Sequence, residues 1–173
     1  MQVNDTPREN RLIPALLDRL TDHKPQEKTE AVNTRMMDKG TYRASVLRDI
    51  TWLLNTINAE SHIDFSEHPR AQASVLNFGV LALSGQQLVD DDRAMIKRAI
   101  TKALLAYEPR ILPDSLAVKV MPMDDTYAAN NQVALEIKGQ LWSEPYPLDF
   151  LLRTHIDLEN GQVQLSDAYG VYS

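Results

Sequence analysis

Two long stretches of the chain carry apolar residues at helical spacing. The first runs from about Tyr42 to Ile57 and the second from about Asp92 to Tyr107. The apolar faces consist of Val46, Leu47, Ile50, Leu53, Leu54 and Ile57 in the first stretch, and of Ile96, Ala99, Ile100, Ala103, Leu104 and Tyr107 in the second. The pattern predicts two amphipathic helices. The side of the first helix that is predicted to face water carries Arg43, Arg48 and Asp49.

Beyond Pro113 the apolar residues recur at every second position, which is typical of strands. The predicted strands are Leu116–Val120, Val133–Lys138, Leu148–Leu158 and Val163–Leu165, the last of them preceded by the hairpin signal Asn160-Gly161. We therefore predict an α+β domain in which the two main helices pack on a small antiparallel β-sheet. Between the helices, Gly79 is predicted to supply a turn that a side chain would block.

A shorter apolar pattern precedes this domain. Between Arg11 and Leu20 the residues Leu12, Ile13, Leu16, Leu17 and Leu20 recur at one-face helical spacing, and the polar stretch Thr21–Lys39 follows. We interpret residues 1–39 as an amphipathic helix on a linker that stands apart from the domain of residues 40–173. A helix of about ten residues is marginal alone in water, so its leucines must pack on their own domain or in a partner's groove. The candidate partner-binding residues are Leu12, Leu16, Leu17 and Leu20.

Composition restricts the classes of function. The chain has 173 residues, 43% of them apolar, which is enough for one core, and its net charge of -6 argues against binding nucleic acid through phosphate contacts. There is no cysteine, the polar start lacks the apolar core of a signal peptide, and no apolar run approaches the length of a membrane span. We therefore expect a cytoplasmic protein with protein partners and no direct membrane insertion.

The sequence offers little catalytic chemistry. It lacks a nucleophile-elbow motif, and six glycines are too few to suggest a phosphate-binding loop or a dinucleotide fingerprint. His62, Asp64, Glu67 and His68 lie within seven residues of one another, but their spacing matches no helical metal-binding pair. The carboxylates that could form a glycosidase pair are Glu108, Glu136, Glu144, Asp124 and Asp125, and none lies in a stretch that suggests a cleft. We predict no catalytic residue, metal, cofactor or small-molecule substrate.

Glu108-Pro109-Arg110 is the most informative short segment. Glu108 lies at the last turn of the second predicted main helix, where the helix dipole disfavours an anion by about 0.3–1 kcal/mol. Pro109 ends the helix and stiffens the backbone, so that Glu108 and Arg110 could project from a fixed corner, and arginine can bind a partner carboxylate through two hydrogen bonds. The alternative is that Arg110 caps the helix and pairs with Glu108. The docking interpretation predicts that Arg110→Ala leaves folding intact.

Three segments in order resemble the lysozyme-like baseplate wedge family of contractile tails. They are Ser45–Thr56, Ser74–Gly79 and Tyr107–Ile111, and Leu16–Leu20 with the linker after it resembles the type VI secretion members of that family. The resemblance implies a structural wedge subunit that joins other baseplate proteins and helps to start contractile sheath assembly, with Glu108, Pro109 and Arg110 as contact residues. It also implies that an exposed edge strand could accept a strand from the sheath, although the sequence leaves open which strand that is.

Two other functions compete with this interpretation. The family's lysozyme-like name suggests a peptidoglycan glycosidase, which would lose activity in Glu108→Gln, and the fold also occurs in regulatory anti-adaptor proteins. A regulatory binder has no evident need for the N-terminal leucine helix. We therefore expect a non-enzymatic assembly subunit, cytoplasmic and part of a membrane-docked assembly.

Overall fold

The structure, a computed structural model, describes residues 12, 14–21, 25–26, 37–82, 90–121, 132–157 and 159–167. Its helices are α1 (Leu16–Leu20), α2 (Lys39–Leu54), α3 (Pro69–Gln72) and α4 (Asp90–Tyr107), and its strands are β1 (Ala117–Val120), β2 (Gln132–Leu141), β3 (Leu148–Asp157) and β4 (Val163–Asp167). Single 3₁₀ turns occur at Ala59–Ser61, Val75–Asn77 and Pro113–Ser115. The α+β class predicted from the sequence is confirmed.

Helix α2 begins three residues before the predicted start because Asp38 caps it. The carboxylate of Asp38 accepts hydrogen bonds from the backbone N–H groups of Gly40 and Thr41 at 2.7 and 3.0 Å. An aspartate at this position satisfies N–H groups that have no partner within the helix, and its charge suits the positive end of the helix dipole. The two main helices exist as predicted: both boundaries of α2 and the start of α4 are displaced by two or three residues, and the end of α4 at Tyr107 agrees. The side chains of residues 90–92, at the start of α4, lie outside the described set.

The four described strands form one antiparallel sheet in the order β1-β2-β3-β4. Val133 of β2 pairs with Ile156 of β3, and Ile137 pairs with Leu152, so that buried residues from both strands share one face. These residues join Ile50 of α2 in a single apolar cluster to which α4 also contributes. The helices therefore pack on one face of the sheet, and β1 and β4 form its edges among the described strands.

Two local features are found where β3 leads into β4. Gly161 in the β3–β4 hairpin has φ +71°, a conformation that favours glycine. At the start of β4, Asn55 makes two hydrogen bonds to Val163: its Nδ2 donates to the Val163 carbonyl and its Oδ1 accepts from the Val163 N–H, both at 2.9 Å. The Asn55 side chain thus occupies the outward backbone groups of this edge residue.

The turn at Gly79 is confirmed. Its φ is +125°, and a Cβ built at this position would lie 2.4 Å from the Thr56 carbonyl oxygen. Val80 next to it exchanges backbone hydrogen bonds with the segment after α2, through Thr56 O at 2.8 Å and Asn58 N at 2.9 Å. This close approach holds the preceding residue, Phe78, against the end of α4, where its ring lies edge-on to Tyr107 with centroids 5.3 Å apart.

The predicted extent of the N-terminal helix is wrong. Helix α1 begins at Leu16 because Ala15 has an extended backbone, with φ -61° and ψ 161°. Leu12 lies outside the helix, is 1% exposed in the main core, and accepts a hydrogen bond from the Met37 N–H at 3.2 Å. The segment therefore contacts the main domain and does not stand apart from it. Ile13 and most of the predicted linker lie outside the described residues.

Candidate functional site

The Glu108-Pro109-Arg110 corner is fixed to both the helix and the sheet. The Glu108 N–H continues the pattern of α4 by donating to Leu104 O at 2.9 Å, and the Glu108 carbonyl accepts from Ile111 N at 3.2 Å across the turn. On the sheet side, the Trp142 N–H donates to the Arg110 carbonyl at 2.7 Å. Backbone hydrogen bonds alone therefore fix the position of the corner.

Within the corner, Arg110 forms a bidentate ion pair with Glu108. Its Nε lies 2.6 Å from Glu108 Oε1 and its Nη2 lies 2.5 Å from Glu108 Oε2. The Glu108 side chain is 4% exposed. A carboxylate this deeply buried needs such a pair, because an uncompensated buried charge is strongly destabilising. The helix dipole disfavours the Glu108 carboxylate at this end of α4, and Arg110 compensates its charge.

Helix α2 supplies the remaining partners of Arg110. Its Nη2 lies 2.6 Å from Asp49 Oδ2, and its Nη1 donates to Ser45 Oγ at 3.2 Å. Ser45 and Asp49 lie four residues apart, which places them on one face of the helix. The structure therefore adopts the alternative in which Arg110 pairs with Glu108, and the expectation that Arg110 projects from the corner is wrong.

The ion pairs continue from the corner to the N-terminal segment. Arg48 Nε donates to Asp49 Oδ1 at 2.9 Å, and Arg48 Nη1 lies 2.5 Å from Asp18 Oδ1 of α1. We call the five residues that alternate in charge here, Asp18, Arg48, Asp49, Arg110 and Glu108, the charge chain. Arg48 and Asp49 were predicted to face water; they contact these partners because α1 and the corner both lie against this side of α2.

Burial and pairing act in opposite directions on the charge of Arg110. Burial works to lower the pKa of its guanidinium, but the hydrogen bonds and charge of Glu108, and then those of Asp49, outweigh burial and raise the pKa above its usual range. Burial also raises the pKa of the nearby Tyr42 hydroxyl. Arg110 is therefore a permanent cation, and the corner does not lose this charge at any accessible pH.

A groove of about 490 Å³ opens beside the corner. It is lined by Ala15, Asp49, Trp52, Leu53, Phe78, Tyr107, Glu108, Pro109 and Arg110. Trp52 is 52% exposed, and the guanidinium of Arg48 lies over its ring at 5.3 Å from the centroid. A half-exposed tryptophan beside an apolar groove is typical of a surface that a protein partner covers.

Comparison with known protein families identifies the family of the chain. Residues 41–146 match the model of the family described as baseplate wedge protein gp25. The chain belongs to this family. The matched region contains α2, Trp52, the corner and strands β1 and β2, so most of the groove lies inside it. Searches of the curated proteins and of the solved structures gave no match.

The leucines proposed as partner contacts in this baseplate wedge protein separate into two groups. Leu12 is buried in the core, whereas Leu16 and Leu20 are 70% and 73% exposed and Leu17 is also exposed. Ala15, directly before α1, lines the groove beside the corner. The structure therefore brings the start of α1 and the corner to the same side of the molecule. It leaves the side chain of Leu12 unavailable to a partner.

Sequence reasoning missed three residues of the site: Ser45, Asp49 and Trp52. The four-residue spacing of Ser45 and Asp49 on α2 was a signal that two polar groups share a helix face and need partners. Trp52 follows Asp49 by three residues, which puts it near the same face. Together the three residues form a polar and aromatic stripe along one face of α2, and this stripe is the sequence signal of the site.

Two further findings concern metals and membranes. The loop residues His62, Asp64, Glu67 and His68 are all exposed, and among the described residues no group of three or more histidine or acidic side chains could hold a metal ion. Nor does any helix within the described ranges combine the length and the apolar character needed to cross a bilayer.

Proposed function

We propose that this chain is the wedge subunit of a type VI secretion baseplate, the subunit called TssE, which docks to other baseplate proteins and helps to start assembly of the contractile sheath. The observation that carries the proposal is that the family match includes the corner and the groove with its exposed Trp52. The family is a structural one, which supports a baseplate role. The assembly would lie on the cytoplasmic side of a membrane to which it docks.

The assignment to type VI secretion rests on the segment before the matched region. Its leucines and linker resemble the opening of the type VI members, and α1 presents Leu16, Leu17 and Leu20 to solvent. Exposing three leucines on a five-residue helix to water is unfavourable. A partner that covers these leucines would bury a substantial apolar area. We infer that α1 is a second contact element beside the corner.

The corner contributes to docking through its fixed shape and not through a free charge. Arg110 is already bound by Glu108, Asp49 and Ser45, so its contribution is to hold Pro109 in place at the side of the groove. Pro109 is exposed, and its ring fixes the backbone torsion there. A preordered surface loses less entropy when a partner binds than a mobile one does.

Sheath initiation would use an edge of the sheet. An unpaired edge strand can accept an extended segment of another protein through backbone hydrogen bonds. Of the two edges among the described strands, β4 is blocked at Val163 by Asn55, and the next outward-facing residue along it is Leu165. The strand β1 is the other candidate acceptor.

A non-enzymatic role is part of the proposal. A glycosidase needs a carboxylic acid that reaches its substrate, whereas both oxygens of Glu108 accept hydrogen bonds from Arg110 and its side chain is buried. We expect no turnover of purified peptidoglycan. Turnover that disappeared in Glu108→Gln would contradict the proposal.

The direct test is co-purification of the full chain with the other baseplate subunits. We expect the intact chain to recover them, and the variant with Leu16, Leu17 and Leu20 all changed to serine to recover less, since it loses the exposed apolar surface of α1. Val75→Ser with Leu76→Ser is the control, because these two residues are also strongly exposed but lie on the 3₁₀ turn Val75–Asn77, outside α1. Removing residues 1–38 is a poorer test, because it also deletes Leu12 from the core.

Recovery of a protease adaptor in place of baseplate proteins would favour the regulatory alternative. Sheath assembly is measured in a separate experiment, by counting fluorescent sheaths in cells that carry each variant. If the intact chain recovers baseplate subunits but cells lacking it form sheaths at the normal rate, the docking role stands and the initiation role is wrong.

A further inference from the structure

We propose that the groove between α1 and the corner accepts a partner segment in which a cationic side chain stands among apolar ones, and that Trp52 is its main contact. This inference rests on the proposed docking function and deepens it by specifying the chemistry of the partner. It follows from two properties of the groove, its apolar walls and the balance of charge along its side.

The walls of the groove are largely apolar. Leu53, Phe78, Tyr107 and Pro109 contribute to the lining, together with Trp52. The walls are also rigid, since Phe78 is held against Tyr107 by the close approach at Gly79. Fixed aromatic and proline walls around a groove of about 490 Å³ provide a preformed receptor for apolar side chains.

The charges beside the groove favour a cation. The charge chain contains three carboxylates and two guanidinium groups, so these five residues together carry a net charge of -1. Asp49 is the more exposed of the two carboxylates that line the groove, since Glu108 is buried. A partner carboxylate would meet this net negative charge, and Arg110 could bind it through two parallel hydrogen bonds only by releasing Asp49 or Glu108.

An arginine or lysine from the partner meets a more favourable surface. It can approach Asp49 at the side of the groove, whereas the π system of Trp52 already interacts with the guanidinium of Arg48. Tryptophan is the residue most often found at the energetic centre of protein interfaces. Trp52 can therefore contact the apolar side chains of the proposed segment through its exposed ring area, and Asp49 can bind the cation.

Trp52 has an internal control. The chain contains two tryptophans, and Trp142 is 46% exposed but does not line the groove. Its contacts to Arg110 and Tyr42 use its backbone N–H and carbonyl, so Trp142→Ala retains them. We expect Trp52→Ala to weaken binding of the purified complex of the other wedge subunits about tenfold or more, and Trp142→Ala to change it less than about twofold.

The sign of the partner's charge is tested at Ala15. This residue lines the groove and precedes α1, so Ala15→Lys and Ala15→Glu place opposite charges at one position. A cationic partner segment predicts that the lysine variant binds several-fold more weakly than the glutamate variant, with the difference decreasing as salt concentration rises. Thermal unfolding of both variants checks that each remains folded.

The outcomes separate this inference from the function on which it rests. Failure of the intact chain to bind the wedge complex would contradict the proposed function itself. If the intact chain binds but Trp52→Ala and Trp142→Ala behave alike, the groove is not the contact surface, while the docking function stands. Weaker binding by Ala15→Glu than by Ala15→Lys would show that the partner segment is anionic and would overturn the inference.

Discussion

The corner and helix α1 were both predicted to contact partners, yet the charged side chains of the corner are paired within the chain and the leucines of α1 are exposed. At the corner, Glu108 and Arg110 turn inward and bind each other and α2, whereas α1 presents its leucines outward. A charged pair can be satisfied within its own chain by two or three hydrogen bonds. A short helix has too little surface to bury every leucine against one neighbour. The comparison teaches that an unusual charged motif is not evidence of exposed charge.

The largest expected effect is on the stability of the corner. Arg110→Ala leaves Glu108 buried without its counterion and removes a partner from Asp49, so we expect the free energy of unfolding to fall by about 3–5 kcal/mol. Urea unfolding followed by circular dichroism measures it. This expectation replaces the one from sequence, that the variant folds normally. A loss below about 1 kcal/mol would restore Arg110 as a docking charge.

A double variant shows whether the loss comes from the unpaired charge. Glu108→Gln combined with Arg110→Met removes both charges while keeping much of the side-chain volume. We expect it to be more stable than Arg110→Ala, because no carboxylate is left alone in the corner. Equal instability of the two variants would indicate that the shape of the arginine, and not the compensation of charge, stabilises the corner.

The leucines of the N-terminal segment provide the next largest effect. Leu12→Ala opens a cavity in the core and should cost about 2–5 kcal/mol. Leu16→Ala is the matched control, since its side chain is 70% exposed and its loss should change stability by about 0.5 kcal/mol or less. Similar effects for both substitutions would mean that the segment does not pack on the main domain as described.

A smaller effect is expected where the two regions meet. Asp18→Asn removes the charge that joins α1 to Arg48, and we expect a loss of about 1–2 kcal/mol. Trypsin cleavage after the exposed Arg19 of α1 should become faster, because α1 opens more often. Asp114→Asn, at an exposed 3₁₀ turn, serves as the control. Unchanged cleavage would show that the Asp18 contact does not hold α1.

The smallest effect lies outside both regions, at Glu60. Burial works to raise the pKa of this carboxyl, but hydrogen bonds from Asn77, Gln72 and Lys102 outweigh it and lower the pKa below its usual 4.5. The charged form thus stabilises the fold above about pH 4.5, and this contribution is lost as the pH falls through the lowered value. Glu60→Gln should remove up to about 1 kcal/mol of acid-dependent stability. An unchanged pH profile would contradict this.

The sequence predicted the main helices and all four described strands because their periodicity is local. It missed the inward direction of Arg110, since the partners Ser45 and Asp49 lie on another helix more than sixty residues earlier in the chain. It also placed Leu12 on a helix, although the backbone at Ala15 is extended and Leu12 joins the core through tertiary contacts. Local patterns identified the elements of the site, but long-range pairing decided which side chains remain available.

Asn55 bears on how an edge strand of this sheet avoids pairing with a second copy of the same chain. Its amide binds both outward backbone groups of Val163. A second copy of the chain that paired with this end of β4 would first have to displace the Asn55 side chain from Val163. The energy of those two hydrogen bonds therefore acts as a threshold: accidental pairing between free subunits is discouraged, and a partner that brings additional contacts elsewhere can still exceed it.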